Sequence, residues 1–161
     1  MSNRFETFVI GAILMFGLLF TVGEQQSHAD SVLTDAQQQL LANSRYVYIS
    51  SQRKGGNFGA PAEIWFLFHD DAVWVGTTPE SWRVRRIRKG RPDAKIAISK
   101  VDGPSFKAKG AIVKDPKVEE LMFTTFANKY PEGWPKHEQK FRDGFKDGSR
   151  ILIKYTPVSD F

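Results

Sequence analysis

Apolar positions fall into runs whose spacing predicts different elements. Residues 7–23 carry no charge and follow Arg4, with Phe8, Val9, Ile10, Leu14, Phe16 and Leu19 supplying the hydrophobicity. Polar Glu24-Gln25-Gln26 comes next, then the small-x-small triplet Ser27-His28-Ala29. This order predicts a signal peptide over residues 1–29, cut before Asp30. The same run lies just short of the ~20 apolar residues that span a bilayer, so an uncleaved N-terminal anchor is the alternative. Either way residues 30–161 are expected as one exported domain, periplasmic or otherwise extracytoplasmic and inner-membrane anchored if the segment stays. No twin-Arg pair precedes the run, so nothing signals export in a folded, cofactor-loaded state.

After residue 30 the periods shorten. Thr34 and Gln37 have the spacing of a capping box with Leu33 as a staple, predicting a helix over residues 34–43. Residues 45–51, 63–68 and 73–75 are rich in aromatic and β-branched side chains and predict an antiparallel meander, with Lys54-Gly55-Gly56-Asn57 and Asp70-Asp71 as its turns. A helix over residues 81–89 stops at Gly90 and Pro92. Strands follow at 95–99 and 106–113 around Asp102-Gly103, then a helix over 115–129 with Val118, Leu121, Met122, Thr125 and Phe126 on one face. One or two helical turns over 137–145 and a closing strand at 151–155 complete the chain. About six mostly antiparallel strands with three or four peripheral helices predict an α+β fold around one sheet or barrel.

The bulk numbers narrow the chemistry. A chain of 161 residues forms one domain with one core. Without cysteine there is no disulfide, thiolate nucleophile, iron–sulfur cluster or Cys-ligated zinc. Net charge is +5; removing residues 1–29, with one Arg and two Glu, leaves 22 basic against 16 acidic side chains, or +6. That balance favours an anionic partner. Nucleic acid is not expected, because export removes it and no base-reading motif accompanies the charge.

The segment from Val75 to Lys89 concentrates these features. Thr77 and Thr78 end a strand, Ser81 opens a helix, and six of the nine residues from Arg83 to Arg91 are basic. Hydroxyls, free backbone N–H groups and an Arg fork at a helix start suit a phosphate. Arg83 and Arg86, three apart and just after Ser81, are the candidate ligands. Arg85, Arg88, Lys89 and Arg91 also fit a solvated cationic face.

A strand ending in Thr77, a short linker, Ser81, one residue and basic Arg83 resembles the phosphate-binding segment of the pyridoxamine 5'-phosphate oxidase-like family. Upstream, Tyr46-Val47-Tyr48-Ile49, Arg53-Lys54-Gly55, Pro61 and Ile64-Trp65-Phe66 are similar to members whose strand underlies a flavin ring. Downstream, residues 83–88 with Pro92 and Ile96-Ala97-Ile98 are similar to the deazaflavin branch. The resemblance covers about residues 35–157. Arg83 stands where the family usually has Lys, keeping the charge and adding bidentate reach; Trp82 stands where the family often has a basic residue, and Glu63 near where it has an aliphatic one.

The resemblance implies a split β-barrel homodimer binding FMN or coenzyme F420 between subunits, and an oxidoreductase acting on a small molecule. It implies a phosphate held by Arg83, Ser81 and Thr77 and a ring edge on the backbone of Ile64, Trp65 and Phe66; Thr78, Arg86 and Trp82 are further cofactor-binding candidates, Trp82 by stacking on a ring, and Arg53 is a candidate to reach the cofactor or substrate. Trp65, Trp74 and Trp82 are alternatively plain core or surface aromatics. The alternative function is a noncatalytic protein holding flavin, haem or another anionic ligand, with His69 or His137 as axial candidates. The histidines stand apart in sequence, so no protein metal site is expected, and no serine-hydrolase elbow is present.

Overall fold

A computed structural model describes residues 31–160. The predicted signal segment or anchor lies outside the described residues, among which no helix is long and apolar enough to cross a membrane.

Seven strands form one sheet: β1 (Val47–Ser51), β2 (Ala62–Ile64), β3 (Leu67–His69), β4 (Ala72–Thr77), β5 (Asp93–Ile98), β6 (Ser105–Val113) and β7 (Ile151–Val158). Their spatial order is β2-β1-β5-β6-β7-β4-β3, and every neighbouring pair is antiparallel. β2 and β3 occupy opposite ends of that order, yet only Trp65 and Phe66 separate them in the chain. Two residues let Ile64 and Leu67 stand at most about 11 Å apart. The sheet must therefore curl until its two edges face each other, which is a split barrel.

The predicted strand over residues 63–68 is thereby corrected. It is two strands on opposite edges, so the count is seven rather than six, and the three-strand meander is instead two separate hairpins. The break is imposed from outside the run: the Phe66 N–H donates to the Tyr130 hydroxyl at 3.2 Å instead of to a neighbouring strand. Asp70 and Asp71 both have positive φ, 49° and 51°, and form the two-residue turn between β3 and β4.

Strand alternation divides the core. Val73, Val75, Ile153 and Tyr155 point into the barrel with Val47, Ile49, Ile96 and Ile98. Trp74 and Leu152 point outward, beneath α3 (Pro116–Lys129) and α4 (Glu138–Asp147), where Met122, Phe123, Phe126, Trp134, Phe141 and Phe145 cover them. Asp115 caps α3 by accepting from the N–H groups of Lys117 and Val118 at 3.1 and 3.2 Å. The predicted apolar face of α3 holds at Val118, Met122 and Phe126. Leu121, however, is partly exposed and Phe123 is buried in its stead, because the outer sheet face and α4 meet the helix on two sides.

The first helix, α1 (Asp35–Asn43), has the expected capping box: Gln37 N–H donates to Thr34 Oγ1 at 3.2 Å, and Thr34 N–H to Gln37 Oε1 at 3.0 Å. Leu41 of this helix and Leu33, which precedes its N-cap, are buried in the barrel core.

Candidate functional site

The helix α2 (Trp82–Arg88) has seven residues, too few to persist alone in water. Tertiary contacts hold it. Val84 is fully buried in the barrel core, and Ile87 packs partly against it. Burying such a side chain contributes about 1.5–3 kcal/mol. Gly110 of β6 permits the close fit: a Cβ there would lie 2.9 Å from Ile87 Cδ1 and 2.8 Å from Tyr155 Cε1. The helix ends in a Schellman motif at Gly90, φ 70°, where Arg91 N–H donates to the Arg86 carbonyl and Gly90 N–H to the Ile87 carbonyl.

Between α2, the end of β1 and the strap leading to β2 lies an open cavity of about 570 Å³. The α2 wall is Ser81, Trp82, Arg83 and Arg86; opposite stand Ile49, Ser51 and Arg53, with Gly59 and Ala60 on the strap and Ala62 at the start of β2. Three lining residues are arginines and none is a carboxylate.

Its electrostatics are uncompensated. Arg83 lies largely buried, and desolvation pulls its guanidinium below the usual arginine range, opposed only by the Tyr155 hydroxyl facing it. Burial likewise pushes Tyr155 up, while Arg83 and then Ser51 act in the other direction. Arg83 Nη1 is buried without a hydrogen-bond partner, and so is the Oγ of Ser81. Ser81 is the N-cap of α2, yet its side chain makes no capping bond. Arg86 is lowered by desolvation first, then by Arg53 and Arg91; its Nη1 donates to the Ser51 carbonyl at 2.9 Å. Buried donors without acceptors beside a shielded cation suit an anion with several oxygens.

Of the residues the sequence singles out, the cavity brings together Ser81, Trp82, Arg83, Arg86 and Arg53. Thr77 and Thr78 stand outside the lining: Thr77 ends β4 opposite Ile151, and the Thr78 carbonyl accepts from Ser81 N–H at 3.1 Å. Ile64 packs partly buried against the barrel core. Trp65 stacks on Tyr130, centroids 4.4 Å apart, and Phe66 is fully buried with its N–H taken by Tyr130. The ring of Phe66 and its N–H are thus unavailable to a ligand as they stand. Trp74 is buried, with Nε1 donating to the His69 carbonyl at 2.9 Å.

His69 pairs with Asp70 at 3.3 Å and His137 meets the edge of Trp65; neither lines the cavity. Among the described residues no cluster of three His, Asp or Glu side chains is placed to hold a metal ion. Sequence reasoning missed Gly59, Ala60 and Ala62. Their one signal is a run of small residues, which leaves the space unfilled.

The sequence matches no protein-family model and no curated protein. Solved structures do match. A putative pyridoxamine 5'-phosphate oxidase from Listeria innocua superposes with a TM-score of 0.54 at 16% identity, over 78% of this chain and 93% of that one. An F420 reductase gives 0.52 at 17% identity, over 79% and 97%. A haem storage protein from Vibrio cholerae gives 0.53 at 11% identity, over 78% and 89%. With the curled seven-stranded sheet and the helices around it, these likenesses identify the fold of this chain as the split β-barrel of the pyridoxamine 5'-phosphate oxidase-like proteins.

Proposed function

We propose that the cavity beside α2 holds the phosphate-bearing end of a flavin, FMN or the deazaflavin F420, and that the protein is an exported oxidoreductase acting on a small molecule. The observation that carries this reading is the buried Arg83, whose Nη1 has no acceptor, beside a Ser81 hydroxyl that has none either. A buried cation without a counter-charge destabilises the fold, and a bound phosphate offsets that cost. A cavity of about 570 Å³ lies within the range that admits a cofactor-sized ligand.

When bound, a flavin supplies the hydride or electron transfer. This chain's residues supply binding and charge: Arg83 and Ser81 hold phosphate oxygens, while Arg53 and Arg86 add positive potential at the rim. The likeness to a pyridoxamine 5'-phosphate oxidase and an F420 reductase supports this choice of ligand. The proposal includes a homodimer, and export directed by residues 1–29; mass determination of the mature chain in solution tests both.

The likeness to a haem storage protein favours a second reading, a noncatalytic haem or flavin carrier with carboxylates on the same arginines. The flavin reading is preferred because neither His69 nor His137 lines the cavity.

An absorbance and mass spectrum of whatever copurifies with the natively produced protein separates the readings: a flavin band bleached by dithionite, or a Soret band. Arg83→Ala should then weaken FMN or F420 binding by about 1.5–3 kcal/mol, roughly tenfold to a hundredfold. Unchanged affinity would show that the phosphate lies elsewhere.

A further inference from the structure

α2 has a second face that the cavity does not use. Opposite Val84 and Ile87, the side chains of Arg85, Arg88 and Lys89 are exposed, and Trp82 at the cavity rim is exposed with them. At 69% exposure Trp82 is the most exposed large hydrophobic side chain among the described residues. The Arg85 guanidinium lies 5.3 Å from its ring centroid. Between Ala72 and Pro92 the sequence holds six basic side chains and a single acidic one, Glu80, so this stretch matches the net charge of the whole chain, +5.

We propose that this face of α2 docks on an anionic lipid surface, with Trp82 at headgroup depth and Arg85, Arg88 and Lys89 against lipid phosphates. An indole standing in water gains from the membrane interface, where its apolar ring and polar N–H are both accommodated. The flanking cations gain from the negative potential of an anionic leaflet, and arginine stems lie along apolar surface while their heads stay hydrated. A second copy of the chain is the competing occupant. A two-fold axis passing through the cationic row would set it against its own image, which like-charge repulsion opposes. The inference needs no ligand in the cavity, but it places the cavity's rim beside the bilayer.

The test uses the full chain on phosphatidylcholine vesicles with and without phosphatidylglycerol, the lipids carrying brominated acyl chains. Residues 7–23 are apolar enough to hold the chain on either bilayer, so the readout is contact by Trp82 rather than binding. Trp82 emission is taken as the difference from Trp82→Phe, since Trp74 and Trp134 are buried and Trp65 is stacked on Tyr130. Quenching of that emission is expected only with phosphatidylglycerol present. It is expected to disappear in a variant carrying Arg85→Ser, Arg88→Ser and Lys89→Ser, and to weaken as salt rises. Two results overturn the proposal: Trp82 equally open to acrylamide with and without anionic lipid, or Trp82 shielded without lipid in a concentration-dependent way, which would mark a contact between copies. FMN titration of the same samples reads the cavity separately, so either idea can fail without the other.

Discussion

Arg86 reaches across the cavity to Ser51, its Nη1 donating to the Ser51 carbonyl at 2.9 Å. The same carbonyl accepts the N–H of Gly59 at 3.0 Å. One oxygen at the end of β1 therefore fastens both walls, α2 and the strap before β2, and so sets the width of the cavity. A cluster of cations is held open by a backbone acceptor rather than by a carboxylate, which leaves the positive potential free for a ligand.

Gly59→Ala tests that arrangement. A Cβ at residue 59 would lie 2.9 Å from Arg86 Nη1 and 3.5 Å from Arg53 Nε. The guanidinium tip is flexible, so it moves aside and loses Ser51. Stability is expected to change by less than about 1 kcal/mol, while FMN or pyrophosphate affinity falls several-fold, corresponding to about 1 kcal/mol for one misplaced charged donor. Isothermal titration and urea denaturation on the same variant check both halves.

Arg83→Met separates binding from stability. Burial lowers the Arg83 guanidinium, and no carboxylate compensates it. Replacing it with an apolar chain of similar length should raise the stability of ligand-free protein by about 1 kcal/mol, in the direction seen when buried ionic groups become hydrophobic. Added FMN, which should raise the melting temperature of the wild type, should raise that of the variant less at the same concentration. A ligand-free variant less stable than wild type would mean that the Tyr155 contact outweighs the desolvation cost.

Local signals were legible in the sequence, and tertiary ones were not. The Thr34–Gln37 capping box, the Asp70-Asp71 turn and the stop at Gly90 each depend on residues within one turn of chain, and each forms. Ser81 and Arg83 meet at the cavity because a helix start dictates it. The run from Glu63 to Phe68 has the composition of one strand, and no glycine or proline marks its break. What divides it is a hydroxyl 64 residues away, taking the Phe66 N–H. Gly59, Ala60 and Ala62 carry no polar side chain, so motif reasoning passes over residues whose contribution is the space they leave.

Tyr130→Phe measures that long-range bond. The Tyr130 hydroxyl accepts from Phe66 N–H at 3.2 Å and donates to the Arg45 carbonyl at 2.5 Å, tying the strand break to the entry of β1. Removing it leaves a buried N–H without a partner while the stack on Trp65 remains. A loss of about 1–3 kcal/mol is expected, read from the shift in denaturation midpoint. A loss near zero would mean that water replaces the hydroxyl.

Lys129 gives the fold a pH dependence of unusual sign. Its ammonium sits 3.5 Å from the Phe66 ring centroid, and burial lowers its pKa to about 8 from 10.5. Below pH 8 the amine is charged in both folded and unfolded chains, and the folded chain bears the desolvation cost. Between pH 8 and 10.5 the unfolded chain binds more protons than the folded one, so stability rises with pH across that window. After discounting for partial exposure, the rise attributable to Lys129 is about 1–2 kcal/mol. Other lysines and tyrosines titrate in the same range, so the informative quantity is the difference between wild type and Lys129→Met, which keeps the packing on Phe66 and removes the charge. That difference should favour the variant at pH 7 and shrink toward pH 10.5; a pH-independent difference would place the ammonium in water.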